Sequence, residues 1–102
     1  MSVLVELQKW FHSNCDGDWE HSCGVKMETL DNPGWRVTID LLGTPLQDIP
    51  FVEISDLDHV TDWMRCWVEN CKFEAAGGTS KLEEMLSEFL KWASHHTITP
   101  PG

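Results

Sequence analysis

Two runs of alternating residues stand on either side of Asn32-Pro33-Gly34: Val25, Met27 and Thr29 before it, and Trp35, Val37, Ile39 and Leu41 after it. Period-two alternation puts one set of side chains on one face of a sheet. The turn supplies the reversal, Pro by fixing φ and Gly by accepting a positive φ. Matching the faces sets the register. Leu30 opposite Trp35 would put each apolar residue against a polar one, whereas Met27 with Val37 and Val25 with Ile39 make the faces agree. That pairing calls for a five-residue connection, Leu30 to Gly34, or a bulge, and leaves Lys26, Glu28, Arg36, Thr38 and Asp40 on the outer face.

An isolated hairpin is marginal in water, so the rest of the chain must supply more sheet and a cover. The stretch from Asp62 to Ala75 reads two ways. Trp63, Met64, Trp67, Val68 and Cys71 make a helical stripe, yet Met64, Cys66 and Val68 also alternate as a strand, with Glu69-Asn70 as a turn before Cys71-Lys72-Phe73. The strand is preferred, because a helix would leave the first hairpin with too little sheet. Trp63 and Trp67 then flank Arg65 on the face opposite Met64, Cys66 and Val68. If that face is uncovered it is a contact patch, since aromatics and Arg dominate binding energy. If a helix covers it they are core, the reading favoured by the usual burial of large aromatics. Gly43 to Asp62 is broken by Pro45 and Pro50 and reads as surface loop, with Phe51 to Ile54 as a short edge strand.

Val3, Leu4, Leu7, Trp10 and Phe11 share one helical face, with Ser2 as N-cap and Asn14 and Gly17 as stop signals. Leu82, Met85, Leu86, Phe89, Trp92 and Ala93 form a second such face, opened by Ser80-Lys81-Leu82-Glu83 as a capping box after Gly77-Gly78. The expected fold is α+β: an antiparallel sheet of three to five strands with an N-terminal and a C-terminal helix packed on it. It occupies residues 1–94 as one domain, and residues 95–102 form a frayed tail.

Charge restricts the partners. The 102 residues carry 17 acids against 7 bases, a net charge of −10. Phosphate-backbone binding needs clustered Lys and Arg, so nucleic acid is excluded as a partner and a basic protein or a cation is favoured. Solubility alone is the plain alternative. No apolar run approaches a membrane span, and Met1-Ser2-Val3-Leu4 lacks the basic region of an export signal. A cytoplasmic location follows, with Cys15, Cys23, Cys66 and Cys71 as reduced thiols.

The acids concentrate in the window from Cys15 to Trp35. Asp16, Asp18 and Glu20 alternate with Gly17 and Trp19, so an extended backbone would put these carboxylates on one side and the indole on the other. Such a cluster needs relief from a cation, a basic partner or water. Asp56, Asp58 and Asp62 make a second acidic group. A calcium loop does not fit, because the Gly is misplaced and the distal Glu is missing. His12, Cys15, His21 and Cys23 offer zinc-type ligands at irregular spacing. Cys15 sits beside Asp16 and Asp18, which oppose a thiolate, and Cys66 reads as core. His21 beside Glu20 would point away from it on a strand, so a structural role is favoured over acid/base chemistry. Neither a cofactor nor a catalytic residue is expected.

The strings Cys15-Asp16-Gly17-Asp18-Trp19-Glu20-His21 and Thr29-Leu30-Asp31-Asn32-Pro33-Gly34-Trp35 resemble the immunity protein 53 family of bacterial polymorphic toxin systems. Trp63, Cys66, Val68-Glu69-Asn70, Phe73, Phe89 and Trp92 continue the resemblance in order along nearly the whole chain. The chain departs from the family pattern at Cys23, where an aromatic is usual, and at Ala75, where glycine is usual. The resemblance implies a non-enzymatic inhibitor that protects its producer by binding a cognate toxin. Combined with the charge, it points to Asp16, Asp18, Glu20, His21, Asp56, Asp58, Asp62, Trp63 and Trp67 as partner-binding residues, meeting a basic cleft such as a nuclease would offer.

Overall fold

The computed structural model describes residues 2–57, 60 and 62–96. Helix α1 (Val3–Asn14) and a short α2 (Trp19–Ser22) precede the hairpin β1 (Val25–Leu30) and β2 (Gly34–Asp40). Then come β3 (Ile54–Asp56), β4 (Met64–Glu69), β5 (Lys72–Gly77) and α3 (Leu82–His96). The strands form one five-stranded antiparallel sheet in the order β1-β2-β5-β4-β3. The α+β reading therefore holds.

The hairpin register is the one required by matched faces: Val25 opposes Ile39 and Met27 opposes Val37. Pairing continues to Leu30 and Gly34, so the connection is Asp31 to Pro33, shorter than expected, with a cis Asn32–Pro33 peptide. Gly34 is not in the left-handed region. It is required for another reason: a Cβ there would run into the carbonyl oxygen of Gly77 across the sheet. Close backbone approach, rather than turn geometry, excludes a side chain.

Val37, Ile39, Cys66, Phe73 and Ala75 are fully buried on the sheet face that carries the helices. From α3, Met85, Leu86 and Phe89 pack down on them, while α1 lies against α3 and contributes Leu7 and Trp10. Ring contacts, tilted between Phe73 and Phe89 and edge-to-face in the other pairs, tie the layers together. Phe89 meets Phe73 at 5.1 Å and Trp10 at 4.8 Å between centroids, and Phe51 meets Phe73 and Trp92 at 5.4 and 5.1 Å.

Several boundaries differ from the sequence reading, each for a physical reason. Phe51 does not begin a strand, because its ring is drawn into the core; β3 starts only at Ile54. The β4–β5 turn is Asn70-Cys71, both with positive φ, a geometry suited to a two-residue hairpin. Met85 N–H bonds the Lys81 carbonyl, so α3 opens one residue after the expected capping box, and the Ser80 hydroxyl donates to Asp62 instead. The helix also runs through Ser94 to His96. In α1, the Ser2 side chain accepts from Val5 N–H as expected, but Leu4 and Phe11 are exposed: α3 covers a narrower stripe than the apolar pattern offered.

Two substitutions test this packing. Phe89→Ala should lower unfolding free energy by about 3–5 kcal/mol, since it removes the ring joining sheet and helices. Gly34→Ala should lower the urea midpoint strongly although it adds only a methyl group, and an unchanged midpoint would contradict the close approach of Gly34 and Gly77.

Candidate functional site

The window from Cys15 to Ser22 is not extended. Asp16 Oδ1 accepts the backbone N–H groups of Asp18 and Trp19, both at 2.9 Å, and holds the chain at the start of α2. Glu20 reaches back and accepts from Asp16 N–H at 2.9 Å and from Gly17 N–H at 2.9 and 3.1 Å. Gly17 sits at φ +98°, which closes this loop tightly. The alternation of acids therefore encodes a self-bonded turn, with Asp-Gly followed by a Glu as the signal the strand reading passed over.

These bonds hold both carboxyls below the usual carboxylate range: for Asp16 through the Trp19 amide first and the Asp18 amide next, for Glu20 through backbone amides that outweigh desolvation. Both stay ionised at neutral pH, and Asp16, Asp18, Glu20 and His21 are all exposed. The Asp18 carboxylate makes no hydrogen bond or ion pair among the described residues. The expected shared carboxylate face is corrected accordingly: two of the acids are structural as well as anionic, and one is unengaged.

Trp19 anchors the loop. Buried at 8% exposure, it donates Nε1–H to the Leu42 carbonyl at 2.8 Å and lies 6.1 Å from Trp10 and 5.8 Å from Phe11 between ring centroids. Phe11 and Leu42, on either side of it, are 37% and 57% exposed. The acids thus border two exposed apolar side chains that the sequence reading did not select.

The remaining expected residues lie elsewhere. Asp56 pairs with Met64 at the opposite end of the sheet, and Asp62 and Trp63 follow there, the Trp63 carbonyl accepting from Gly78 N–H at 3.0 Å. The length of β2, about 20 Å by strand geometry, separates the two acidic groups. Asp58 lies outside the described residues. Exposed Leu57 and Val60 flank this second group.

Trp67 takes a third position. The register puts it with Arg65 on the sheet face away from both helices, where it is half-buried, so it is not in the core. The guanidinium of Arg65 lies 4.2 Å and that of Arg36 5.1 Å from its ring. Arg65 also pairs with Glu53 at 3.0 Å and Arg36 with Glu74 at 3.1 Å, so this cluster is internally neutralised.

The chemistry of the cysteines is muted. All are free thiols; Cys66 is fully buried and burial pushes it up to about 12, while desolvation and then the charges of Glu20 and Asp16 raise Cys15. Among the described residues no group of three or more His, Cys, Asp or Glu is placed to hold a metal ion.

Asp16→Ala and Glu20→Ala should each lower the denaturant midpoint at neutral pH, whereas Asp18→Ala should leave it unchanged. Folding lowers the pKa of Asp16 and Glu20, so their contribution is present above the unfolded carboxylate range and fades as pH falls below about 4, through the lowered folded values. Urea titrations across pH should show the variants converging on the parent protein in acid.

The family model described as immunity protein 53 matches residues 4–94. Comparisons with curated proteins and with solved structures give no match.

Proposed function

Since the chain belongs to the immunity protein 53 family, we propose that it neutralises a basic toxin domain by docking the end of the sheet that carries Asp16, Asp18, Glu20 and His21. The observation that carries this reading is the pairing of fixed, exposed anions with the exposed side chains of Phe11 and Leu42 around the buried Trp19 anchor. Anions attract a cationic partner over a distance and speed encounter; apolar side chains that become buried slow dissociation. Because the loop is already closed by its own hydrogen bonds, little ordering is needed on binding, which favours affinity.

The toxin class that fits best is one that handles nucleic acid, because a cleft built for phosphates presents the Lys and Arg that these carboxylates would meet. The role is stoichiometric occupation and not turnover, in a cytoplasm shared with the toxin. Asp56, Asp62 and Trp63 at the far end, and Trp67 on the outer face, are too widely spread to join the same contact on a small partner and serve as separate test surfaces.

Asp18→Lys should slow association with the cognate toxin roughly threefold to tenfold at low salt, with the effect shrinking as salt rises. Leu42→Ala should mainly accelerate dissociation, by about tenfold. Surface plasmon resonance across salt concentrations separates the two. Unchanged kinetics in both variants, with loss of binding in Trp67→Ala or Asp62→Asn, would move the contact to another face.

A further inference from the structure

We infer that the outer edge of β1 pairs antiparallel with the same edge of a second copy of the chain, centred on Met27, to make one continuous sheet through a dimer.

Strand β1 ends the sheet, and among the described residues no strand pairs with its outer side. The orientation of its backbone can be assigned. Asp40 N–H donates to the Gly24 carbonyl just before the Val25–Ile39 pair, so in the alternating antiparallel pattern the even-numbered residues of β1 exchange bonds with β2. Val25, Met27 and Thr29 therefore aim their N–H and C=O groups outward. The edge is also sterically open. Met27 lies on the face that carries the helices yet is 40% exposed, and the residues between Val25 and Leu30 are exposed throughout.

The side chains determine what fits this edge. Of the 7 Lys and Arg residues, Lys9, Arg36, Arg65, Lys72, Lys81 and Lys91 pair with a carboxylate within the chain. Lys26 is the one that does not, among the described residues, and Glu28, two positions along, has no ion pair there either. An antiparallel strand centred on Met27 sets Lys26 against Glu28 of the second copy and Glu28 against its Lys26. Both pairs fall at non-hydrogen-bonded positions, where side chains come closest. Val25 meets Thr29, Met27 meets Met27, and the outward amides of Val25, Met27 and Thr29 all find partners. Slipping the register by two residues either way puts Lys26 on Lys26 or Glu28 on Glu28, which disfavours both alternatives. The strand is its own complement in a single register, and an isologous contact of this kind closes as a dimer.

Such an edge contact is small, and the net charge of each copy opposes it, so the dimer should be weak and visible mainly when salt screens the long-range repulsion. Sedimentation velocity at 150 mM salt, from micromolar to about 1 mM protein, should show concentration-dependent dimer. K26E and E28K alone should each shift the midpoint for dimerisation upward about tenfold or abolish it. Mixed in equal amounts they should form a heterodimer, and the double variant K26E/E28K should dimerise like the parent chain. Circular dichroism of each variant checks folding, and the mixture makes the outcome independent of any loss of stability in one partner. A chain monomeric throughout, or single reversals that leave the dimer intact, or a double variant that fails to recover it, would each overturn the pairing. A monomeric chain that gains a partner only with toxin present would assign the edge to the toxin instead.

Discussion

The contact of Phe73 with Phe89 is the one on which the other parts depend. Phe73 stands in the central strand of the sheet and Phe89 on helix α3, which touches β2, β4 and β5 together. From Phe89 the chain of rings continues to Trp10 and then Trp19, so α3 helps to hold the first helix and the acidic loop, whose other ties are Trp19 to the Leu42 carbonyl and Gly24 to Asp40 at the end of β2. Phe51 and Trp92 close the other side, Trp92 donating Nε1–H to the Pro50 carbonyl. The tilted Phe73–Phe89 pair and the edge-to-face contacts around it fix ring orientation as well as distance, which gives a small domain a defined core with few residues. Loosening this pair would reach the acidic loop without altering any residue of the loop.

Much of this was legible because period and face agreed. The hairpin register followed from the alternation of Val25, Met27, Val37 and Ile39 alone, and the choice of strand over helix for β4 followed from the need for more sheet. What escaped the sequence was decided by contacts between distant positions. Gly34 looks like a turn residue until Gly77 is known to lie across from it. Phe51 looks like strand until its ring has an aromatic pocket to enter. The acidic loop was misread for a different reason: Asp and Glu side chains competed successfully for backbone amides, and local bonding of that kind leaves no hydrophobic period to detect. The two acidic groups were legible only as a class, since acids at two ends of a strand look adjacent in composition but not in space.

The loop that carries Asp16 and Glu20 combines two roles that usually oppose each other. Clustered carboxylates destabilise a fold by repulsion, and here the amides they accept from offset that repulsion while leaving the charge in place. The same atoms that shape the turn also set its potential. Asp18, whose carboxylate caps nothing, is therefore less constrained structurally than Asp16 and Glu20.

The ion pairs described above have an effect beyond the positions they occupy. With six cations already matched to carboxylates inside the chain, nearly all the charge left for solvent is negative and uncompensated. A molecule brought against the domain meets a chain of net charge −10, which draws cations toward it and repels other anions to an extent set by salt. At low ionic strength the solution around the domain is therefore enriched in small cations and depleted of polyanions, whatever lies against it.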